Sequence, residues 1–157
     1  MKPRGKVLYQ IIIIFSLLGI LVSLYLVQNH YAAPTAGALC DFGETLSCSL
    51  VNTSTFSVLL NVPVALLGAL WFLFAGWMAW KGVKKGRNNE GAIPLLLLGW
   101  SILGLLFVVY FIIAEIILQA VCPFCTVAHL LVVIILVLSI ILFKTQARSP
   151  SRKLLFL

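Results

Sequence analysis

Four long apolar segments, separated by shorter polar ones, dominate the hydrophobic pattern of the chain. They cover about residues 7–27, 62–80, 93–119 and 124–143. Each is long enough to cross a hydrocarbon core, which takes about 20 helical residues. Neither the alternation typical of a strand nor an internal repeat competes with this interpretation. Because backbone groups in lipid must bond within their own segment, the pattern predicts an all-α membrane protein, a single domain built as a four-helix bundle.

The composition agrees with a membrane protein. Of the 157 residues, 62% are hydrophobic and only 10% are charged, whereas a soluble domain is about 45–50% apolar. The first apolar segment follows basic residues, as a signal peptide would. Its length exceeds the roughly 7–15 apolar residues of a typical signal, so we expect a retained helix.

The basic residues predict the orientation of the bundle. All eleven precede the first helix, join the second to the third, or follow the fourth: Lys2, Arg4, Lys6, Lys81, Lys84, Lys85, Arg87, Lys144, Arg148, Arg152 and Lys153. Because Lys and Arg collect in cytoplasmic loops, we expect cytoplasmic termini, a cytoplasmic loop over 81–92 and a cytoplasmic tail over 144–157. The long loop over 28–61 and the turn at Ala120 then face outward. Three separate basic segments do not make a nucleic-acid footprint, so the net charge of +7 is a topology signal.

The motif Cys122-Pro123-Phe124-Cys125 opens the fourth helix. Proline suits the first helical position, so Cys122 is expected at or near the N-cap. A Cys-x-x-Cys pair on a first helical turn can close a reactive disulfide, and the helix terminus favours a thiolate, which we expect at Cys125. The spacing alone leaves a structural disulfide or a pair of metal ligands open.

Cys40 and Cys48 lie in the outer loop, on the same predicted side as the motif pair. That side is bacterial periplasm, archaeal exterior or endoplasmic reticulum lumen, where disulfides persist. Two pairs on one membrane face can pass a disulfide by thiolate attack, through mixed disulfides. A non-enzymatic alternative is a protein with structural disulfides or a Cys₄ zinc site, which needs four converging thiolates.

These residues, with their neighbours, resemble a known family. The segments concerned are Cys40-Asp41-x-Gly43, Ser47-Cys48-Ser49, Ser54 six residues past Cys48, a second helix opening near Pro63 with Gly68, and Cys122-Pro123-Phe124-Cys125. In this order, they are similar to the vitamin K epoxide reductase family, from the first helix to the fourth.

The resemblance implies a four-helix bundle around a quinone pocket. A disulfide relay would oxidise a separate thioredoxin-fold dithiol protein and reduce a ubiquinone, menaquinone or vitamin K type quinone. The resemblance assigns Cys125 to the quinone and Cys122 to exchange with the outer loop. In that loop, Cys48 would bond Cys122, and Cys40 would meet the external partner.

Two further residues are candidates for quinone binding. Ser54 matches a Ser or Thr that the family keeps close to the site. His129 lies four residues after Cys125, on the same helix face and one turn deeper, where it can bond a quinone carbonyl or serve only in packing. Glu115 is an intramembrane acid, which often marks function; we expect it instead to reach the outer surface.

The small and aromatic residues of the apolar segments can make room for a flat ring, although such residues more often serve helix packing. They are Gly68, Trp71, Gly99, Trp100 and Gly104. In the outer loop, Pro34 to Gly37 predict irregular structure, and residues 53–60, polar and then apolar, predict a short helix at the membrane surface.

Where the animal enzymes place Asn and Tyr, this chain has Val64 and His129, which weakens the case for epoxide reduction. The opening from Pro63 to Gly68 resembles prokaryotic members, so a prokaryotic cell membrane is favoured. The alternative is a vitamin K quinone or epoxide reductase of the endoplasmic reticulum, for which a glycan on Asn52 would be a sign.

Overall fold

The computed structural model describes residues 3–36, 39–43, 45–85 and 92–147. Its helices are α1 (Pro3–Ala36), α2 (Cys48–Asn52), α3 (Val64–Lys85), α4 (Ala92–Leu118) and α5 (Pro123–Ala147). A 3-10 turn over Thr55–Ser57 leads into a two-stranded antiparallel hairpin, β1 (Val58–Leu59) and β2 (Val62–Pro63).

The helices α1, α3, α4 and α5 are each long and apolar enough to cross a membrane, which confirms the predicted four long helices. Large apolar side chains remain exposed along them, as at Leu21, Leu106 and Leu130. Exposed apolar surface of this extent is unusual for a soluble monomer and suits contact with lipid. The described helices also continue past the apolar segments, to Ala36 in α1 and to Lys85 in α3.

Part of the predicted topology signal lies outside the described residues. The residues concerned are Lys2, Arg87, Arg148, Arg152 and Lys153. The basic residues that the structure does describe lie at the start of α1, at the end of α3 and in the last turn of α5: Arg4, Lys6, Lys81, Lys84, Lys85 and Lys144. The structure therefore describes only part of the charge pattern from which the orientation was predicted.

The antiparallel helices α1 and α3 pack closely because each presents glycine to a side chain of the other. A Cβ atom on Gly19 would overlap the ring of Phe72, and one on Gly82 would overlap the ring of Tyr9. Helix α3 also presents glycine to two serines of α1, one between these two contacts and one beyond the Gly19 contact. Small residues let membrane helices approach closely, so these contacts fix the register of the pair.

Polar contacts join α4 to its neighbours within the apolar segments. The Trp71 indole N–H donates to the Trp100 carbonyl at 3.2 Å, and the Trp100 indole returns the bond to the Trp71 carbonyl at 3.1 Å. Between α4 and α5, the buried hydroxyls of Ser101 and Ser139 are 3.2 Å apart. Each of these polar groups therefore has a partner away from water, as the membrane requires.

The segment between α1 and α3 differs from its prediction. Irregular structure was expected from Pro34 to Gly37, but helix α1 continues to Ala36, so the expectation is wrong for residues 34–36. Gly37 lies outside the described residues. Of the short helix expected over 53–60, only the 3-10 turn over Thr55–Ser57 is present. The chain forms the 3-10 turn and then the hairpin, whose reversal has positive φ at Leu60 and Asn61.

Candidate active site

The inner cysteine pair lies at the start of α5. Pro123 is the first helical residue, which confirms the predicted N-cap position of Cys122. The backbone N–H of Cys125 donates to Sγ of Cys122 at 3.1 Å, and both thiols are free. The first helical turn therefore directs this N–H at Sγ of Cys122 and not at Sγ of Cys125, where the sequence predicted that the helix end would act.

Glu115, from the last turns of α4, contacts the residue that begins this motif. Its Oε1 accepts the backbone N–H of Cys122 at 3.2 Å, and its side chain is 9% exposed. The expectation that it reaches the outer surface is wrong, because α4 ends in a tight turn in which the N–H of Ala120 bonds the Glu115 carbonyl at 3.2 Å. Glu115 thus holds the backbone from which Cys122 projects.

The outer pair forms a disulfide between Cys40 and Cys48, with Cα atoms 5.7 Å apart. The two residues are 1% and 0% exposed, and Cys122 is 0% exposed. All three belong to one buried cluster, against which Cys125 packs. The structure therefore brings the four predicted cysteines together at one end of the bundle.

A short backbone pairing sets the register between the outer segment and the inner pair. Leu46 forms an isolated parallel bridge with Val121. The N–H of Ser47 donates to the Val121 carbonyl at 3.2 Å, and the N–H of Val121 donates to the Thr45 carbonyl at 2.9 Å. Since Cys48 and Cys122 follow these residues directly, the pairing aligns the two cysteines through main-chain bonds.

Asp41, next to Cys40, forms hydrogen bonds with residues at the start of α2. Its Oδ1 accepts the Ser47 hydroxyl at 2.9 Å and the backbone N–H of Ser49 at 3.0 Å. Its Oδ2 accepts the Ser49 hydroxyl at 2.5 Å. Ser47 is in turn the N-cap of α2 and accepts the N–H of Leu50 at 3.1 Å. These bonds hold the two disulfide partners close.

A cavity of about 150 Å³ lies between the four long helices, under the segment from α2 to the 3-10 turn. The sequence-predicted residues that line it are Cys125, His129, Ser54, Gly68, Trp71 and Gly104. Gly99 and Trp100 do not line it: a Cβ on Gly99 would meet open space, and Trp100 stacks on Trp71 with centroids 6.4 Å apart. Of the two inner cysteines, only Cys125 borders the cavity.

Most polar groups around the cavity already have partners. The hydroxyl of Ser54 donates to the Val51 carbonyl at 2.7 Å, and that of Ser57 donates to the Ser54 carbonyl at 2.6 Å. His129 stacks on Phe111 with centroids 5.9 Å apart and has no hydrogen-bond partner among the residues that the structure describes. Its ring nitrogens are therefore available to a ligand.

The match to known families decides the classification. Residues 10–140 match the model of the vitamin K epoxide reductase family. The chain belongs to this family. A search of curated proteins finds no match. Membership and the four candidate spans make the chain a multi-pass membrane protein. The family is one of oxidoreductases that act in general with quinones and with thioredoxin-like partners.

Two residues that the resemblance contrasts with the animal enzymes, Val64 and His129, both line the cavity. An amide nevertheless borders the cavity, because Asn52 lies in its wall and donates to the Leu26 carbonyl at 2.5 Å. Sequence reasoning missed Asn52 as a cavity residue, since only the fold brings α2 over the end of the bundle.

A glycan on Asn52 and a Cys₄ zinc site, both left open by the sequence, conflict with this geometry. Asn52 is 6% exposed, and its carbonyl accepts Nδ1 of His30 at 2.6 Å, so it does not present an acceptor site for a glycan. Cys40 and Cys48 share a disulfide, and a sulfur in a disulfide is not a thiolate ligand. This redox state is therefore incompatible with a Cys₄ zinc site.

Proposed function

We propose that the protein is a membrane thiol:quinone oxidoreductase that generates disulfides outside the cytoplasm. It would oxidise a separate thioredoxin-fold dithiol protein and reduce a quinone. One observation carries this proposal: both cysteine pairs share a buried cluster, and the inner pair alone reaches the apolar cavity, through Cys125.

The order of the pairs supports the direction of the relay. A thiolate of the partner attacks the Cys40–Cys48 disulfide, and its second thiol releases the mixed disulfide. The partner is then oxidised and the outer pair is a dithiol. Exchange with an inner disulfide restores the outer disulfide and leaves Cys122 and Cys125 as thiols. The pairing in the structure, an outer disulfide above two inner thiols, corresponds to this stage.

The next step returns the inner pair to a disulfide. Two electrons and two protons leave the thiols of Cys122 and Cys125 and convert the quinone to the quinol. The N–H of Cys125 bonds Sγ of Cys122, the sulfur that exchanges with Cys48 in this relay, while the Cys125 thiol faces the cavity. The surroundings of the two sulfurs are therefore consistent with different roles, disulfide exchange for Cys122 and quinone reduction for Cys125.

The lining of the cavity suits the ring of such a substrate. Its walls are mainly apolar and aromatic, and an apolar cavity of about 150 Å³ suffices for a benzene-sized ring. His129 can donate to a carbonyl, and the hydroxyl oxygen of Ser54 can still accept a hydrogen bond. When bound, the quinone supplies the terminal two-electron acceptor.

The proposed orientation places the cysteine end of the bundle outside the cytoplasm. The basic residues of the sequence support cytoplasmic termini, and an oxidising compartment suits a buried disulfide at the opposite end. We further propose that the protein lies in a prokaryotic cell membrane, because the motif from Cys122 to Cys125 and the sequence from Pro63 to Gly68 at the start of α3 resemble prokaryotic members.

The test is quinone reduction, followed by absorbance, with purified protein in lipid nanodiscs. Two reductants are compared, a reduced thioredoxin-fold protein and dithiothreitol. We expect Cys125→Ala to abolish quinol formation with both, and Cys40→Ala to abolish it mainly with the protein reductant. Ser101→Ala, a buried hydroxyl away from the cavity, is the control. No reduction of ubiquinone or menaquinone analogues by the wild type would refute the proposal.

A further inference from the structure

Ser23, in the middle of α1, is a buried polar residue that the relay described above does not use. It is 3% exposed and lines the cavity. Among the described residues its hydroxyl has no hydrogen-bond partner. Two other buried serines bond their own helix, since Ser101 and Ser139 each donate to the carbonyl four residues earlier at 2.7 Å. The hydroxyl thus belongs to a residue that lines the cavity and has its hydrogen-bonding capacity unused, so it is placed to bond a polar ligand there.

The position of Ser23 suits a ring held under the segment that covers the cavity. It lies three residues before Leu26, whose carbonyl accepts the Asn52 side chain from that segment, and so lies about one helical turn deeper. A Cβ atom on Gly68 would lie 3.3 Å from the Ser23 hydroxyl. Because residue 68 is glycine, the space next to the Ser23 hydroxyl is not filled by a side chain.

The other polar side chains of the cavity narrow the choice of donor. Those of Asn52, Ser54 and Ser57 already donate to backbone carbonyls. Among the described residues, the oxygen- or nitrogen-bearing side chains of the cavity that donate no hydrogen bond are His129 on α5 and Ser23 on α1. A quinone has two carbonyl oxygens and needs donors from two directions, which two different helices can supply.

We propose that the Ser23 hydroxyl donates a hydrogen bond to a carbonyl oxygen of the quinone ring in this cavity. This inference rests on the proposed function and adds a residue to its binding site. Loss of one neutral hydrogen bond of ordinary strength weakens binding by about threefold to tenfold.

The chain offers a matched control. Ser16 lies seven residues earlier on α1, is 1% exposed and also has a hydroxyl without a partner. It packs against Gly76 as Ser23 packs against Gly68, but it does not line the cavity. Ser23→Ala and Ser16→Ala therefore remove the same group from similar surroundings.

The experiment measures equilibrium binding, by quenching of tryptophan fluorescence, to fully oxidised protein in nanodiscs, so that no turnover occurs. The probes are 2,3-dimethyl-1,4-naphthoquinone, whose quinone ring has no free position for thiol addition, and 2,3-dimethylnaphthalene, the same ring system without carbonyls. We expect Ser23→Ala to weaken binding of the quinone by about threefold to tenfold and to leave binding of the hydrocarbon unchanged. Ser16→Ala should change neither.

Three results would overturn the inference. Equal quinone binding by the wild type and Ser23→Ala would remove Ser23 from the site while leaving the proposed function intact. Equal weakening for both probes would show a change of cavity shape rather than a lost hydrogen bond. No quinone binding by the wild type would refute the inference and the proposed function together.

Discussion

Asp41 should control access to the outer disulfide. Both sulfurs belong to buried residues, Cys40 at 1% and Cys48 at 0% exposure, so a dithiol reaches them only after local opening of the outer segment. The Asp41 carboxylate opposes that opening through its three hydrogen bonds to Ser47 and Ser49. We therefore expect Asp41→Ala to accelerate reduction of the disulfide.

The magnitude follows from the exposure of these bonds. Hydrogen bonds to charged groups contribute about 1.5–3 kcal/mol each when buried, but Asp41 and the Ser49 contacts lie at the surface, where water replaces much of each bond. A net loss of about 1–2 kcal/mol for the three together is reasonable. If opening precedes exchange, the reduction rate rises about fivefold to thirtyfold.

The assay follows the rate of disulfide reduction by dithiothreitol, with acid quenching and a mass-shift label on the new thiols. Asp41→Asn keeps one carbonyl oxygen as an acceptor and should give a smaller increase. Thr53→Ala is the matched control, since it removes an exposed hydroxyl bond, 2.8 Å to the Ser49 carbonyl, from the same segment. A wild-type rate in Asp41→Ala, or an equal increase in Thr53→Ala, would refute the reasoning.

Three further substitutions test the site. Gly104→Ala should abolish quinone binding, because its Cβ would lie 2.5 Å from the Trp71 ring and push the indole into the cavity; full binding would contradict the cavity assignment. His129→Phe keeps a ring but removes the hydrogen bond proposed between His129 and the quinone, so the quinone KM should rise about threefold to tenfold; an unchanged KM would leave this residue only a packing role. Glu115→Ala leaves the Cys122 N–H unsatisfied and should cost about 1–3 kcal/mol of stability by thermal unfolding. Glu115→Gln keeps the acceptor and should cost clearly less, and equal losses would contradict the assigned contact.

The sequence predicts the parts of the fold that depend on local pattern. The four long helices follow from apolar length, and the N-cap position of Cys122 follows from the proline after it. The hairpin over Val58–Pro63 does not follow, because its reversal uses positive φ at Leu60 and Asn61. Neither residue is glycine, the usual sign of such a turn.

The candidate site could be predicted only as far as motifs reach. The four cysteines, Ser54 and His129 come from spacing and from resemblance, and the quinone-binding role of the last two stays a prediction. Ser23 and Glu115 depend on contacts between helices far apart in the chain. For Glu115 a carboxylate in an apolar segment was a signal, yet its partner, the N–H of Cys122, is visible only in three dimensions.

The central claim is that electrons pass from the inner pair to a quinone, and one single-turnover measurement tests it most directly. Protein given one equivalent of dithiol, so that the outer disulfide is intact and Cys122 and Cys125 are thiols, is mixed with excess ubiquinone-1. The account predicts one quinol per protein molecule, together with loss of both free thiols to a Cys122–Cys125 disulfide. Quinone that stays oxidised while both thiols remain free would contradict it.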